Sequence, residues 1–299
     1  MASPTGCWAA TRTTDMGEIR EALQLEFVRN ALAAGILVSI LCGIIGTLVV
    51  VNRIVFLAGG IAHAAYGGIG LAFFLGWPYV VGTTAVSILS AGIMAAVTLK
   101  ARHRADATVG VIWAVGMAVG IILLDLSPGY NADLMSYLFG SILTVPVSDL
   151  WLMVVLGIAV ASVVAWYYND FLAMSYDDEF ARLRNVPVTF LYCLLLGMIA
   201  LTVVMVIRVV GLILVIALLT IPPFIAEKFT GSLRAMMVVS SLLSIVFTVA
   251  GFWLSYALNL TAGATIILVA AAGFFLGILW DRRKRVRLTD SPSGTGKSF

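Results

Sequence analysis

Between Arg53 and Lys100 the chain carries no charged residue. A helix needs roughly 20 consecutive apolar residues to cross the hydrocarbon core of a bilayer, and there its backbone polar groups must be satisfied internally. Gly76-Trp77-Pro78 punctuates the stretch, so it reads as two helices folded back on one another. Comparable runs follow: Phe27 to Val51, Val109 to Leu124, Leu150 to Tyr168, Val188 to Ala226, Ala235 to Leu258 and Ala262 to Trp280. Val188 to Ala226 is long enough for two spans, with Arg208 marking the turn. The pattern predicts an all-α polytopic membrane protein of nine spans, or eight if Arg208 marks no true exit. Composition agrees, with 62% hydrophobic and 11% charged residues. Too few charges exist to cover a soluble enzyme, which carries about a quarter. A net charge of +3 and three cysteines without framework spacing (Cys7, Cys42, Cys193) argue against nucleic-acid binding and a disulfide scaffold.

Basic residues give sidedness, because cytoplasmic loops collect Lys and Arg. With nine spans, one side holds Arg53, Lys100, Arg102, Arg104, Arg182, Arg184, Lys228, Arg234, Arg282, Arg283, Lys284, Arg285, Arg287 and Lys297, which is 14 of the 18. The other side holds Arg12, Arg20, Arg29 and Arg208. The expectation is a multi-pass protein of a plasma (prokaryotic inner) membrane, N-terminus outside and C-terminus cytoplasmic. Residues 1–26 are expected to be a polar, extracytoplasmic segment; residues 1–15 lack the apolar core of a signal peptide, and Met16 is a second candidate start. Residues 27–281 form the membrane domain, and 282–299 are expected to be a basic, disordered tail. Within that tail, Gly294-Thr295-Gly296-Lys297-Ser298 resembles a phosphate loop, but Ser291 stands where the pattern needs glycine. No ATPase is encoded in this sequence.

The second span places Gly59, His63, Tyr66, Gly67 and Gly70 on one helical face. Glycines let membrane helices approach closely, so this face packs on protein. A mid-span imidazole is costly against lipid and belongs in the interior or a wet cavity. It is either hydrogen-bonded to a neighbouring helix or a ligand on a transport path, and this span alone leaves both open. Residues 170–187 form a long charged loop containing Asp177-Asp178-Glu179-Phe180-Ala181-Arg182-Leu183-Arg184. Asp177 or Asp178 suits a helix N-cap, and the arginines suit its C-terminus. The segment reads as a solvated connector or as a docking element for a cytoplasmic partner. Asp106 is placed to cap the fourth span. Residues 132–143, capped by Asn131 or by Asp133, read as an interfacial or re-entrant helix. Pro222 and Pro223 are expected to end or break the seventh span. Thr47–Val55 and Thr202–Val210 agree at five of nine positions; with their arginines on opposite sides, this is a sign of an inverted repeat, with chance among many valines as the competing reading.

Together these pieces resemble the permease subunits of ATP-binding-cassette importers for zinc, manganese and iron, of the type II architecture. The resemblance runs from about Phe27 to Trp280. It is carried by Phe56–Gly70 with His63, Asp106-Ala107-Thr108-Val109-Gly110, Asp133–Gly140, Asp178–Arg182, Val209–Val215 leading to Pro222, and Gly263-Ala264-Thr265-Ile266. It implies a homodimer in the lipid bilayer, cytoplasmic ATPase subunits, an extracytoplasmic metal-binding protein and no covalent chemistry in this chain. No cofactor would be bound permanently; a divalent metal (Zn, Mn or Fe) would be cargo. His63, with Tyr66, Gly59 and Gly67, falls on the metal pathway, and Asp177, Asp178, Glu179, Phe180, Ala181 and Arg182 on the ATPase contact. Asp106, Asp133, Pro222 and Pro223 are structural or gating. One departure stands out: zinc and manganese members usually have an aspartate four residues before the histidine, and here that position is Gly59. Neutral imidazole binds these metals, but a carboxylate would also offset their charge. Two other functional classes compete: an ion-coupled secondary transporter with His63 as relay, and a non-transporting membrane scaffold.

Overall fold

The computed structural model describes residues 24–101, 105–127, 140 and 145–289. Each charge-free run among them becomes helix: α1 (Glu26–Val51), α2 (Val55–Leu75), α3 (Tyr79–Lys100), α4 (Ala105–Asp125), α5 (Val147–Trp166), α6 (Tyr168–Tyr176), α7 (Asp178–Leu183), α8 (Val188–Val210), α9 (Leu212–Phe229), α10 (Leu233–Leu258) and α11 (Ala262–Thr289). Among the described residues, nine helices are long and apolar enough to cross a membrane: all except α6 and α7. Residues 128–139 lie outside the described residues, so Asp133 and most of the expected interfacial helix do too.

The turn between α8 and α9 falls at Gly211, whose φ of 80° and ψ of 165° reverse the chain in a single residue. Arg208 lies inside α8 rather than at the turn. A positive φ is cheap only for glycine, which explains why the break sits there and not at the charge. The two segments of the weak repeat accordingly differ: one spans the α1–α2 turn, the other is the last part of α8.

Pro222 and Pro223 do not end their span, contrary to expectation. The α9 helix runs through both to Phe229. A proline at 223 cannot donate to the Leu219 carbonyl four residues back. That carbonyl faces Gly46 on α1, where an added Cβ would stand 2.6 Å from the oxygen and 2.8 Å from Pro223 Cγ. The missing side chain thus makes room for the proline-containing turn, and Thr220 Oγ1 donates to the Ile216 carbonyl at 2.6 Å just above it. The helix α11 also exceeds its expected length. Its backbone continues to Thr289, well into the segment expected to be disordered; residues 290–299 lie outside the described set. No proline or glycine interrupts it there.

The bundle is built around α2, which packs on α3, α4, α8 and α9. Over its span window 78% of α2 is buried, against 17% for α4 and 22% for both α5 and α11. Without a hydrophobic driving force between helices in lipid, close backbone contact must supply the association. A Cβ on Gly67 would stand 2.8 Å from the Gly116 carbonyl of α4, and one on Gly68 would stand 2.5 Å from the Gly82 carbonyl of α3. The α1–α10 pair is joined by a buried hydrogen bond of 3.0 Å between Ser39 and Thr248.

Candidate functional site

One end of the bundle gathers the α1–α2 turn, the end of α3, the start of α4, the α6–α7 unit and the α9–α10 turn. These enclose a cavity of about 1150 Å³ lined by Arg53, Lys100, Arg182, Asp106, Asp178 and Glu227 among others. The charges that composition made scarce are therefore collected on one face. Asp106 belongs to this lining and sits inside the first turn of α4, not before it as a cap.

From that cavity the chain enters α2 at Val55, and His63 lies a little over two turns up the helix. Its ring is half-buried and stacks on Trp113 of α4, with centroids 3.9 Å apart and planes 10° from parallel. Phe56 tilts against the same indole at 6.1 Å. The His63 Nδ1 atom is buried with no hydrogen-bond partner. The expected alternative, a histidine satisfied by a neighbouring helix carbonyl, is not what the structure contains at this nitrogen.

The other residues of the expected face divide. Gly59 turns toward α9, where an added Cβ would meet only Ile216 Cδ1 at 3.8 Å, an ordinary contact. A Cβ would fit there without displacing a neighbour. Gly67 is spent on the approach to α4, and Tyr66 is fully buried with its carbonyl against Gly120. Of the glycines on this face only Gly59 lacks a close backbone neighbour, and His63 is its one half-buried member. Among the described residues no group of three His, Cys, Asp or Glu side chains could hold a metal ion.

The charged loop contains more structure than its sequence announced. Ahead of the expected short helix lies α6, anchored by buried Phe171 and Met174. Asp177 is the cap that α7 uses: its Oδ1 accepts from the Phe180 N–H at 2.9 Å. Ala181 is buried against the bundle, while Glu179, Phe180 and Arg182 are exposed and Asp178 is half-buried. Arg184 lies 5.7 Å from the Phe180 ring centroid. Phe180 (51%) and Leu183 (83%), with Tyr176 (66%), form an apolar patch beside these charges.

Two ties absent from the sequence reading hold this unit. Asn52 Nδ2 donates to the Leu48 carbonyl and to Ser175 Oγ, each at 2.8 Å, joining the α1–α2 turn to the last turn of α6. The Arg234 guanidinium lies 4.4 Å from the Tyr168 ring centroid, joining α10 to its start. An asparagine followed by a non-glycine residue with φ of 57° (Arg53) is the local sign of a fixed turn, but its partner cannot be read from spacing. Trp113, Gly116 and Gly120 likewise share a face of α4, but the helix that this face meets cannot be read from spacing.

Similarity to known proteins covers nearly the whole membrane region. The model of the ABC 3 transport family matches residues 24–281. An uncharacterized membrane protein of Synechocystis is 49% identical over 88% of this chain and 93% of its own length. The manganese transport system membrane protein MntC of Listeria monocytogenes is 32% identical over 86% and 92%. Among solved structures, PsaBC from Streptococcus pneumoniae in complex with Fab matches with a TM-score of 0.80 at 29% identity, covering 88% of this chain and 95% of that one.

Proposed function

The chain belongs to the ABC 3 transport family, and from that membership we propose that it is the membrane permease of an ATP-driven importer for a divalent transition-metal ion. It is a transport subunit and not itself an enzyme. Manganese is the cargo named for several relatives; zinc and iron are the other candidates. The observation that carries the metal reading is His63, an intramembrane imidazole on the most enclosed helix, with an unpartnered nitrogen and an open Gly59 position beside it. Intramembrane ionisable groups are costly and mark ion pathways. With no carboxylate at 59, the cation is held weakly, which suits a translocator because the ion must leave again.

The charged cavity end faces the cytoplasm, in keeping with the side on which 14 of the 18 Lys and Arg fall. Two copies of the chain work with a cytoplasmic ATPase and an extracytoplasmic metal-binding protein. The exposed Phe180 side of α7, with Glu179 and Arg182, meets the ATPase. Through α6 and the Asn52–Ser175 hydrogen bond, movement of α7 reaches the base of the helix that carries His63. ATP drives alternation between outward- and inward-open states only through contacts that differ between them.

The test is metal-resolved uptake by the complete transporter in vesicles, comparing Mn, Zn and Fe. ATP-dependent uptake of at least one of them is the expected result. Uptake of an organic solute with none of the three would overturn the metal reading, and metal uptake without ATP would return the ion-coupled alternative.

A further inference from the structure

His63 lacks the support that a metal-binding histidine usually has. Such a ring donates its second N–H to a carboxylate, carbonyl or water, and that bond fixes its tautomer and plane. Here Nδ1 is buried and meets no acceptor. A buried N–H left without a partner costs about 1–3 kcal/mol, so the proton of the neutral ring belongs on Nε2, and no hydrogen bond at Nδ1 holds the plane. The contact that does engage the ring is the Trp113 indole, parallel to it within 10° at 3.9 Å.

We propose that Trp113 is the positioning residue of His63, its indole face doing the orienting that a hydrogen-bond acceptor does elsewhere. This inference rests on the reading of His63 as a pathway residue. The chemistry suits the role. Metal–imidazole bonds use a lone pair in the ring plane, and stacking engages only the ring face while restricting rotation about χ2. The indole is itself held: Phe56 tilts against it at 6.1 Å from the first turn of α2. Its backbone is set by the approach of α4 to α2, where an added Cβ on Gly116 would stand 2.7 Å from Ala64 Cα. A flat ring is needed; apolar volume alone is not enough.

The experiment compares Trp113→Leu, Trp113→Phe and His63→Leu in the complete transporter, measuring KM and kcat for Mn uptake. Loss of an orienting partner costs metal sites about 10- to 100-fold in affinity or activity. Trp113→Leu, which keeps apolar bulk, should raise KM about tenfold with kcat within about twofold, and Trp113→Phe should restore most of the loss. A second readout needs no transport. The chain has two histidines, His63 and His103, so with ¹⁵N-histidine carried by this chain alone the spectra of the reconstituted complex resolve both rings once His103→Gln assigns them. The wild type should show one Nε2–H tautomer for His63, kept in Trp113→Phe and replaced by a mixture in Trp113→Leu. Unchanged KM and tautomer in Trp113→Leu, beside impaired uptake in His63→Leu, would overturn this inference alone. Wild-type uptake in His63→Leu would remove the pathway reading and this inference with it.

Discussion

The helix α2 and the short helix α7 both depart from the apolar monotony of the chain, in opposite ways. The former is the most enclosed span, made of small residues with one ionisable side chain at its middle. The latter is six residues long, capped by Asp177, with Phe180 and Leu183 turned outward. In α2 the backbone is fixed by neighbours on several sides, so a change at a glycine displaces whole helices. In α7 the fold needs little more than buried Ala181 and the cap, which leaves Glu179, Phe180 and Arg182 free for a partner. On the proposed function, a rigid pathway and an accessible handle are separate pieces of chain, linked by the α6 segment and Asn52.

The difference is tested most severely by Gly68→Val. Its side chain would run into the Gly82 carbonyl and the Thr83 backbone of α3. Overpacking of about 1–3 kcal/mol per site should lower the thermal midpoint of the detergent-purified protein by several degrees. An unchanged midpoint would show that α2 is less rigidly held than the geometry requires. In α7 the expected damage is functional instead. Phe180→Asp or Glu179→Arg should leave insertion and thermal stability unaltered and uncouple ATP hydrolysis from uptake; loss of a central anchor of about 2 kcal/mol weakens docking roughly thirtyfold. Wild-type uptake by both variants would discard α7 as the handle.

Gly59→Asp asks what α2 lacks. Space exists at Cβ, and an aspartate there would share the face of His63. KM for Mn should fall, and turnover should slow if release becomes limiting, as kinetics of uptake would report. No change in either would place Gly59 off the path. The smallest effect is expected where the two regions are linked. Ser175→Ala removes one hydrogen bond of about 1 kcal/mol, so ATPase stimulation per metal transported should change by a few-fold while docking persists. Equal coupling in mutant and wild type would relieve Asn52–Ser175 of any part in transmission.

How much of this could be read from the residues depended on the range of the interaction responsible. The spans follow from a local requirement, that charges stay out of hydrocarbon, and their number was legible. The α8–α9 break was misplaced because a charge is a weaker turn signal than the conformational demand met by Gly211. Pro222 and Pro223 misled for the complementary reason: the room that keeps α9 continuous comes from Gly46, far away in sequence. His63 stood out as a polar residue in an apolar run. Its stacking on Trp113 depends on which helix packs beside α2, and single-chain periodicity contains no such information. Likewise α6 was hidden because its anchors, Phe171 and Met174, look like part of a loop until the surface they bury is known.

The central claim, that a metal ion passes His63, is met most directly by His63→Leu in the complete transporter, assayed for ATP-dependent metal uptake alongside insertion and ATPase docking. The account predicts a marked fall in uptake with both controls normal. Uptake equal to the wild type would make His63 a packing residue and place the path elsewhere in the bundle.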